Sequence, residues 1–496
     1  MSKKLLLQAC LLAASCLCAE AQQSSFEEFR KSLISGYSSF RDGILADYAK
    51  FLDGVWVEYN GFRAEARDEQ PKPPAMPVAD NTTQQAPVAR IPSPAKPVLP
   101  APPATPSAPD VRPTAPVISK HPQPTPASPA PEETFTFSYH GIDMEVPAVE
   151  FRIMDKVSAP ADFAAQWRAL DNTPAPRKAA ENLKALASAR NFNDYLTYDL
   201  ASSYALARFP DARPSSRTSL VHYMLAQMGY DARIGVNSGG QALLMLPCRQ
   251  MVYGHMYLMF GNEKYFVFSD PEEKLSATDT RISTCTLPEA AATASKFDLR
   301  LGAIDIPLSP KPFHISANGI EISGETNANL YPILYRYPQI PVTDYAASDL
   351  MPTLRRDIVE QLKEQLAGLD SRTAVDKLLQ FVQSGFEYAT DGDFHGFEKP
   401  YFFEEMLYYD KCDCEDRVIF YTYLLWNVLG VENHLLAYPG HESAAVALDD
   451  APARGDSYNY DGRTFFISDP TYIGAKTGMC MPSFRDVSPE IDHIYR

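Results

Sequence analysis

The sequence predicts an α+β protein in which one unit, a helix followed by an antiparallel sheet, occurs twice. Three observations predict it. The apolar run Val418 to Leu429 ends at Gly430, and Gly440-His441 and Ile467-Ser468-Asp469-Pro470 follow in that order. Upstream, the run that includes Tyr223 to Met228 ends at Gly229, and Gly254-His255 and Phe268-Ser269-Asp270-Pro271 follow in the same order. Between these landmarks lie short alternating apolar stretches bounded by turn residues, the pattern of half-buried strands. Recurrence of a whole supersecondary order reads as an old duplication. With the two glycines as anchors, Arg213 falls where Cys414 stands, so the first copy lacks that thiol.

The N-terminus carries Lys3 and Lys4, an apolar core from Leu5 to Cys18, and Ala19-Glu20-Ala21. This is the pattern of a cleaved signal peptide over residues 1–21, and it predicts export to the periplasm, the cell surface or the medium. Lipid attachment at Cys16 is less favoured, because Ala13 stands where such sites want a Leu-type residue. No later run approaches 18 apolar residues, so no transmembrane segment is expected. At 496 residues two or three domains are expected. A formal charge of −17 argues against nucleic acid and against anionic membrane surfaces as partners.

Residues 22–69 carry an 11-residue repeat. Phe29, Phe40, Phe51 and Phe62 fill its first position, Leu33, Ile44 and Val55 its fifth, and Tyr37, Tyr48 and Tyr59 its ninth. Steps of four, four and three place these on one face of an amphipathic helix. Gly36, Gly43, Gly54 and Gly61 weaken that helix, so it is expected to need a partner: the body of the protein, a second copy, or another chain. Residues 70–132 hold about 20 of the 42 prolines and no periodicity, which predicts a disordered, extended linker. Residues 133–300 form the first copy, opening on a hairpin at Thr134–Tyr139 with a turn at Gly141. Residues 301–345 read as a β-rich connection with a hairpin turn at Asn318-Gly319. Residues 346–496 form the second copy, introduced by amphipathic helices over Leu354–Leu369 and Ala374–Ser384.

The second copy holds the chemistry. His441 follows Cys414 by 27 residues, and Asp469 follows His441 by 28. Asp413 suits an N-cap, which puts Cys414 in a first helical turn where the dipole favours a thiolate. His441 is then the expected base and Asp469 the group that orients its ring. The Cys414 main-chain N–H and one of Tyr388, His395 or Gln383 are candidates for an oxyanion hole. Cleavage after Ala21 leaves Cys248, Cys285, Cys412, Cys414 and Cys480, an odd number. A Cys412–Cys480 disulfide would leave Cys414 free. A zinc-like set of Cys412, Cys414, Cys480 and His441 is the alternative, but its spacing matches no standard closed site, and neither a metal nor another cofactor is expected.

Cys414-Glu415-Asp416 heading a Leu-rich helix that ends in Leu429-Gly430-Val431, then a strand-borne His441, then Asp469-Pro470-Thr471, resembles the bacterial transglutaminase-like superfamily within the papain-like fold. The resemblance covers about residues 370–480, and the first copy is similar to a degenerate version of the same core. It implies tandem transglutaminase-like (papain-like) cores and a Cys-His-Asp triad for acyl transfer through a thioester. Carried over by position, Cys414 is the nucleophile, His441 the general base and acid, and Asp469 the orienting residue. The sequence departs from the family in Ser443, where many members have Trp, and in Cys412, where a glycine is usual. The expected protein is an exported cysteine peptidase, amidase or transamidase acting on a protein or peptide. The alternative is a non-catalytic binding or scaffold protein built on two such cores.

Overall fold

In the computed structural model, residues 48–60, 64–67, 71–80, 90–94, 133–273, 281–285, 295–449 and 455–496 are described. The signal-peptide segment and most of the 11-residue repeat lie outside them. Helical residues 48–52 lead to strand β1 (Trp56–Asn60). Strands β2 (Thr134–Tyr139) and β3 (Ile142–Pro147) form a hairpin that turns on His140 and Gly141, both at positive φ. Helices α1 (Pro160–Asp171), α2 (Ala175–Ala189), α3 (Asp194–Arg208) and α4 (Pro214–Met228) follow. After them come β4 (Arg233–Asn237), β5 (Ala242–Pro247), β6 (Tyr257–Phe260), β7 (Glu263–Phe268) and β8 (Arg281–Cys285). The hairpin β9 (Pro310–Ala317) and β10 (Ile320–Asn327) closes on Asn318-Gly319. Helices α5 (Pro352–Leu366) and α6 (Ser371–Gly385), the parallel pair β11 (Glu387–Tyr388) and β12 (Lys411–Cys412), and helix α7 (Cys414–Leu429) precede the last sheet. That sheet is β13 (Asn433–Tyr438), β14 (His441–Ala447), β15 (Ser457–Tyr460), β16 (Arg463–Ile467) and β17 (Glu490–Tyr495).

The architecture is α+β, and each long central helix is followed by a sheet of the same strand order. After α4 the order is β8-β4-β5-β7-β6, with β1 added beside β8; after α7 it is β17-β13-β14-β16-β15. All these pairs are antiparallel. The register makes the match residue by residue: Met245 faces Val267 as Ala445 faces Ile467. Arg217 and Arg417 also correspond. Each is buried in its helix's first turns and donates to main-chain carbonyls at the end of the preceding helix. Arg217 reaches Phe209, Pro210 and Ala212; Arg417 reaches Val382, Gln383 and Phe386. Val382 and Gln383 are last-turn carbonyls, which a helix end leaves without internal partners, and the other four follow the helix ends.

That register corrects the match drawn from the glycines. Pro214, not Arg213, occupies the place of Cys414, and Arg213 is the N-cap as Asp413 is. The β4–β5 turn ends at Gly240 (φ 77°) and the β13–β14 turn at Gly440 (φ 71°), so Gln241 stands where His441 stands. His255 lies beyond that turn, just before β6, against the ring of Phe268. The first copy thus lacks both thiol and imidazole.

Other expectations also change. The helix over 22–69 does not continue through its third repeat unit. Gly54 follows the last helical turn, and the alternating, β-prone Trp56-Val57-Glu58-Tyr59 pairs with β8 instead. The repeat residue Tyr48 docks on the protein's own body, stacked on Trp167 at 4.3 Å and bonded to His222 Nε2 at 3.0 Å. The 70–132 linker is not free coil along its whole length. Ala79 N donates to Ile473 O at 2.8 Å and Ile91 N to Ser457 O at 3.0 Å, and Ile91 is buried in the outer apolar cluster of the second sheet. The 301–345 connection is only half β: after the β9–β10 hairpin come short helices at Tyr331–Tyr335 and Val342–Ala347. Cys412 and Cys480 form no disulfide. Cys412 Sγ is 3.7 Å from Glu387 O, whereas Cys480 packs with Tyr438 in the outer cluster. One apolar core runs from Tyr48 to Phe466 through both copies, so they form one packed body and not two independent ones. Among the described residues, no helix is long and apolar enough to cross a membrane.

Candidate functional site

The site lies where the start of α7 meets the start of β14. Asp413 caps α7, with its N–H bonded to Asp416 Oδ2 at 3.1 Å, and Cys414 is the first helical residue. Pro439 and Gly440 make a two-residue turn between β13 and β14. Proline fixes one φ and glycine supplies the positive one, so His441 opens β14 beside the head of α7. Asp469 follows β16, and its position is set from several sides. Its Oδ1 accepts from Thr471 N at 2.8 Å and Tyr472 N at 3.2 Å. Gln383 Nε2 holds the same loop through the carbonyls of Asp469, Tyr472 and Ala475.

Of the three expected residues, His441 and Asp469 are paired, while the Cys414 thiol bonds to Glu415 Oε2 at 3.4 Å and not to His441. His441 Nε2 is 2.8 Å from Asp469 Oδ2, and the ring stacks on Phe484 with centroids 5.1 Å apart. His441 Nδ1 is buried and has no hydrogen-bond partner among the described residues. Cys414 is 1% exposed, and the main-chain amide of Glu442, next to His441, reaches its sulfur. Of the oxyanion candidates, Tyr388 sits close enough to Cys414 for their charges to interact, with its hydroxyl donating to Pro73 O at 2.7 Å. Gln383 is committed to the Asp469 loop and His395 to Tyr401, so neither serves.

The thiol is not the activated one expected from the helix dipole. Burial pushes its pKa well up, and Glu415 and Asp413 push it further, against the pull of Lys72. Sequence reasoning missed this acidic surround. Asp391, Glu398, Asp413, Glu415 and Asp416 converge here. Lys72 enters it from the segment taken for linker, and Arg67 from the end of the segment taken for the repeat helix. Lys72 Nζ lies 2.8 Å from Asp413 and 3.7 Å from Asp391, and also contacts Glu398 and Glu415. Arg67 bridges Glu415 at 3.3 Å and Glu442 at 2.8 Å. Burial alone would raise Glu415, but Lys72 and Arg67 hold it well below its usual range. The carboxyl groupings are of a kind that can hold a cation, and here the ammonium of Lys72 fills that role.

Five carboxyls around one ammonium and one guanidinium cannot all be charged cheaply. Burial and neighbouring carboxylates raise Asp391 to about 9 and Asp416 to about 8, and burial with Glu415 raises Glu398 to about 7. In the unfolded chain such groups titrate near about 4. The folded state therefore binds more protons between these limits. This contribution to stability is full below about pH 4 and is lost as pH rises through 7 to 9. The urea midpoint is expected to fall between pH 7.5 and pH 9, above the range in which buried neutral histidines such as His222 and His434 would gain protons on unfolding, and a flat or rising midpoint there would contradict this charge assignment.

In the first copy the corresponding place is a cavity of about 570 Å³ lined by Lys156, Ser158, Arg213, Pro214, Gln241 and Glu273. It keeps the cleft without the nucleophile or the base. Comparison with known proteins brings no match: neither a family model, nor a curated protein, nor a solved structure is similar to this chain.

Proposed function

We propose that the protein is a cysteine-dependent acyl-transfer enzyme of transglutaminase-like type, a peptidase, amidase or transamidase, built on two papain-like cores of which only the second is catalytic. The observation that carries this reading is the His441–Asp469 pair, whose Nε2 is engaged by the carboxylate while Nδ1 has no partner among the described residues; the reading requires the Cys414 thiol to turn to Nδ1 from Glu415 Oε2, to which it bonds at 3.4 Å. The Nε2–H tautomer makes Nδ1 a proton acceptor. Nδ1 takes the Cys414 proton as sulfur adds to the substrate carbonyl carbon. The carbon–nitrogen bond then breaks, and the leaving amine takes that proton from the imidazolium, leaving a thioester. Water or an amine attacks the thioester and passes its proton to Nδ1, and sulfur leaves to be reprotonated. The Cys414 N–H at the head of α7 and the Tyr388 hydroxyl are the proposed donors to the oxyanion. The reading includes export, on the strength of the signal-peptide pattern at residues 1–21.

The test is acylation itself. Wild-type protein and Lys72→Ala are incubated with p-nitrophenyl acyl esters and a panel of peptide amides, quenched in acid, and weighed. An acyl adduct on the Cys414 peptide, absent in His441→Ala, is expected. Its absence throughout the panel in folded protein would leave the second reading, a binding or scaffold protein on two cores. The raised thiol pKa and the full burial of Cys414 favour that alternative.

A further inference from the structure

We infer that the cleft at Cys414 takes an acyl donor bearing a primary ammonium on the residue before the reacting carbonyl, and that Lys72-Pro73 occupies both subsites as a resident substrate mimic. The inference rests on the acyl-transfer reading and names its substrate class.

Residues 71–80 form a strap held to the second copy at Ala79, and two of its adjacent residues make the two contacts such a donor would need. The Lys72 side chain is only 6% exposed and ends among Asp391, Glu398, Asp413 and Glu415. The next carbonyl, that of Pro73, accepts from the hydroxyl of Tyr388 beside Cys414. Burying an ammonium costs several kcal/mol unless it is met on several sides. An anchor for a strap could be placed at the rim without that cost, yet this one is placed against the candidate nucleophile. The pocket also has acceptor capacity to spare: Asp413 Oδ1 is buried and has no partner among the described residues.

The strap itself is suited to stay. Pro71, Pro73 and Pro74 have no N–H, so this stretch binds through side chains and carbonyls in an extended form. The amide nitrogen next to the Pro73 carbonyl belongs to the ring of Pro74, and the chain beyond is held by Ala79 on Ile473. A leaving nitrogen there would remain in place to re-attack. The strap is tied on the other side as well, where Gly254 N donates to Glu65 O at 2.9 Å. The mimic is thus presented intramolecularly, and a free donor competes against a high effective concentration.

The experiment labels Cys414 in the full chain with 2-aminoethyl methanethiosulfonate, a cation, and 2-sulfonatoethyl methanethiosulfonate, an anion. Each rate is read on the Cys414 peptide by mass spectrometry and normalised to that reagent's rate with glutathione. Lys72→Ala is expected to speed cationic labelling by at least about tenfold over wild type, equivalent to about 1.4 kcal/mol, and to leave the anion at least as far behind the cation. Lys72→Arg keeps the charge and is expected to label as slowly as wild type. Equal normalised rates for the two charges in Lys72→Ala, or no gain over wild type, overturn the inference. Should Lys72→Ala fail to fold, Lys72→Met, which removes the charge and keeps the packing of the stem, replaces it, with the same expected and opposing results. A cation-selective Cys414 that never forms an acyl adduct rejects the enzyme and keeps the subsite. An acyl adduct without charge selectivity does the reverse.

Discussion

Asp469→Asn is expected to lower acyl transfer by about 10⁴-fold, the scale of loss when a triad carboxylate is made neutral. In the proposed mechanism the carboxylate does two things for His441. It accepts the Nε2 proton, which leaves Nδ1 as the acceptor for the thiol, and it stabilises the imidazolium formed on proton transfer. An Asn amide group can turn its NH₂ toward Nε2 and favour the other tautomer, with the proton on the nitrogen that should take one. The fold should tolerate the change. Oδ1 of Asn can still accept from Thr471 N and Tyr472 N, and the Gln383 bonds to this loop use carbonyls. The expected result is therefore a fall in kcat with a melting temperature within a few degrees of wild type. A fall below tenfold, in protein whose Cys414→Ala variant is dead, would remove Asp469 from the triad.

The contrast between Asp469 and Lys72 shows what the sequence could reveal. The places of Cys414, His441 and Asp469 in the fold were legible because each sits at the edge of a regular element with its own local signal: an N-cap, a Pro-Gly turn, an Asp-Pro after an apolar strand. Lys72 carries no such signal. Its stretch has the composition of coil, and its partner Asp413 lies 341 residues away, so only tertiary packing reveals the ion pairs. The helical repeat misled for a related reason. Its period of 11 continues past Phe51, but Gly54 and the run Val55 to Tyr59 favour a strand once β8 offers an edge. The shared order of elements in the two halves was legible in the sequence, and their register was not. Helix α7 has 16 residues and α4 has 15, so anchoring at the C-terminal glycines displaced the N-terminal match by one residue and hid Pro214. The buried arginines at the heads of both helices were the better anchors.

A third buried arginine, Arg355 of α5, is expected to carry a large stability effect. It is 2% exposed and meets Glu404 in a two-point bridge, Nε to Oε1 at 2.7 Å and Nη2 to Oε2 at 2.9 Å. Nη1 donates to Ser348 O at 2.6 Å, and Glu404 Oε1 also accepts from Met351 N at 3.0 Å. The guanidinium lies 4.7 Å from the ring centroid of Phe403 and 4.9 Å from that of Tyr423. These contacts tie the start of α5 to the segment before β12 and to α7, the helix that presents Cys414. Arg355→Met removes the cation and leaves Glu404, fully buried, without its charge partner. Breaking one side of such a pair costs about 3–5 kcal/mol, because the remaining charge is stranded away from water. Replacing both residues by apolar groups of similar volume removes the stranded charge, and such exchanges are often neutral. Urea unfolding should therefore show Arg355→Met destabilised by about 3–5 kcal/mol and Arg355→Met/Glu404→Leu recovering most of the loss. A double variant as unstable as the single one would mean that the ring contacts and the bonds to Ser348 and Met351, not the stranded carboxylate, carry the effect.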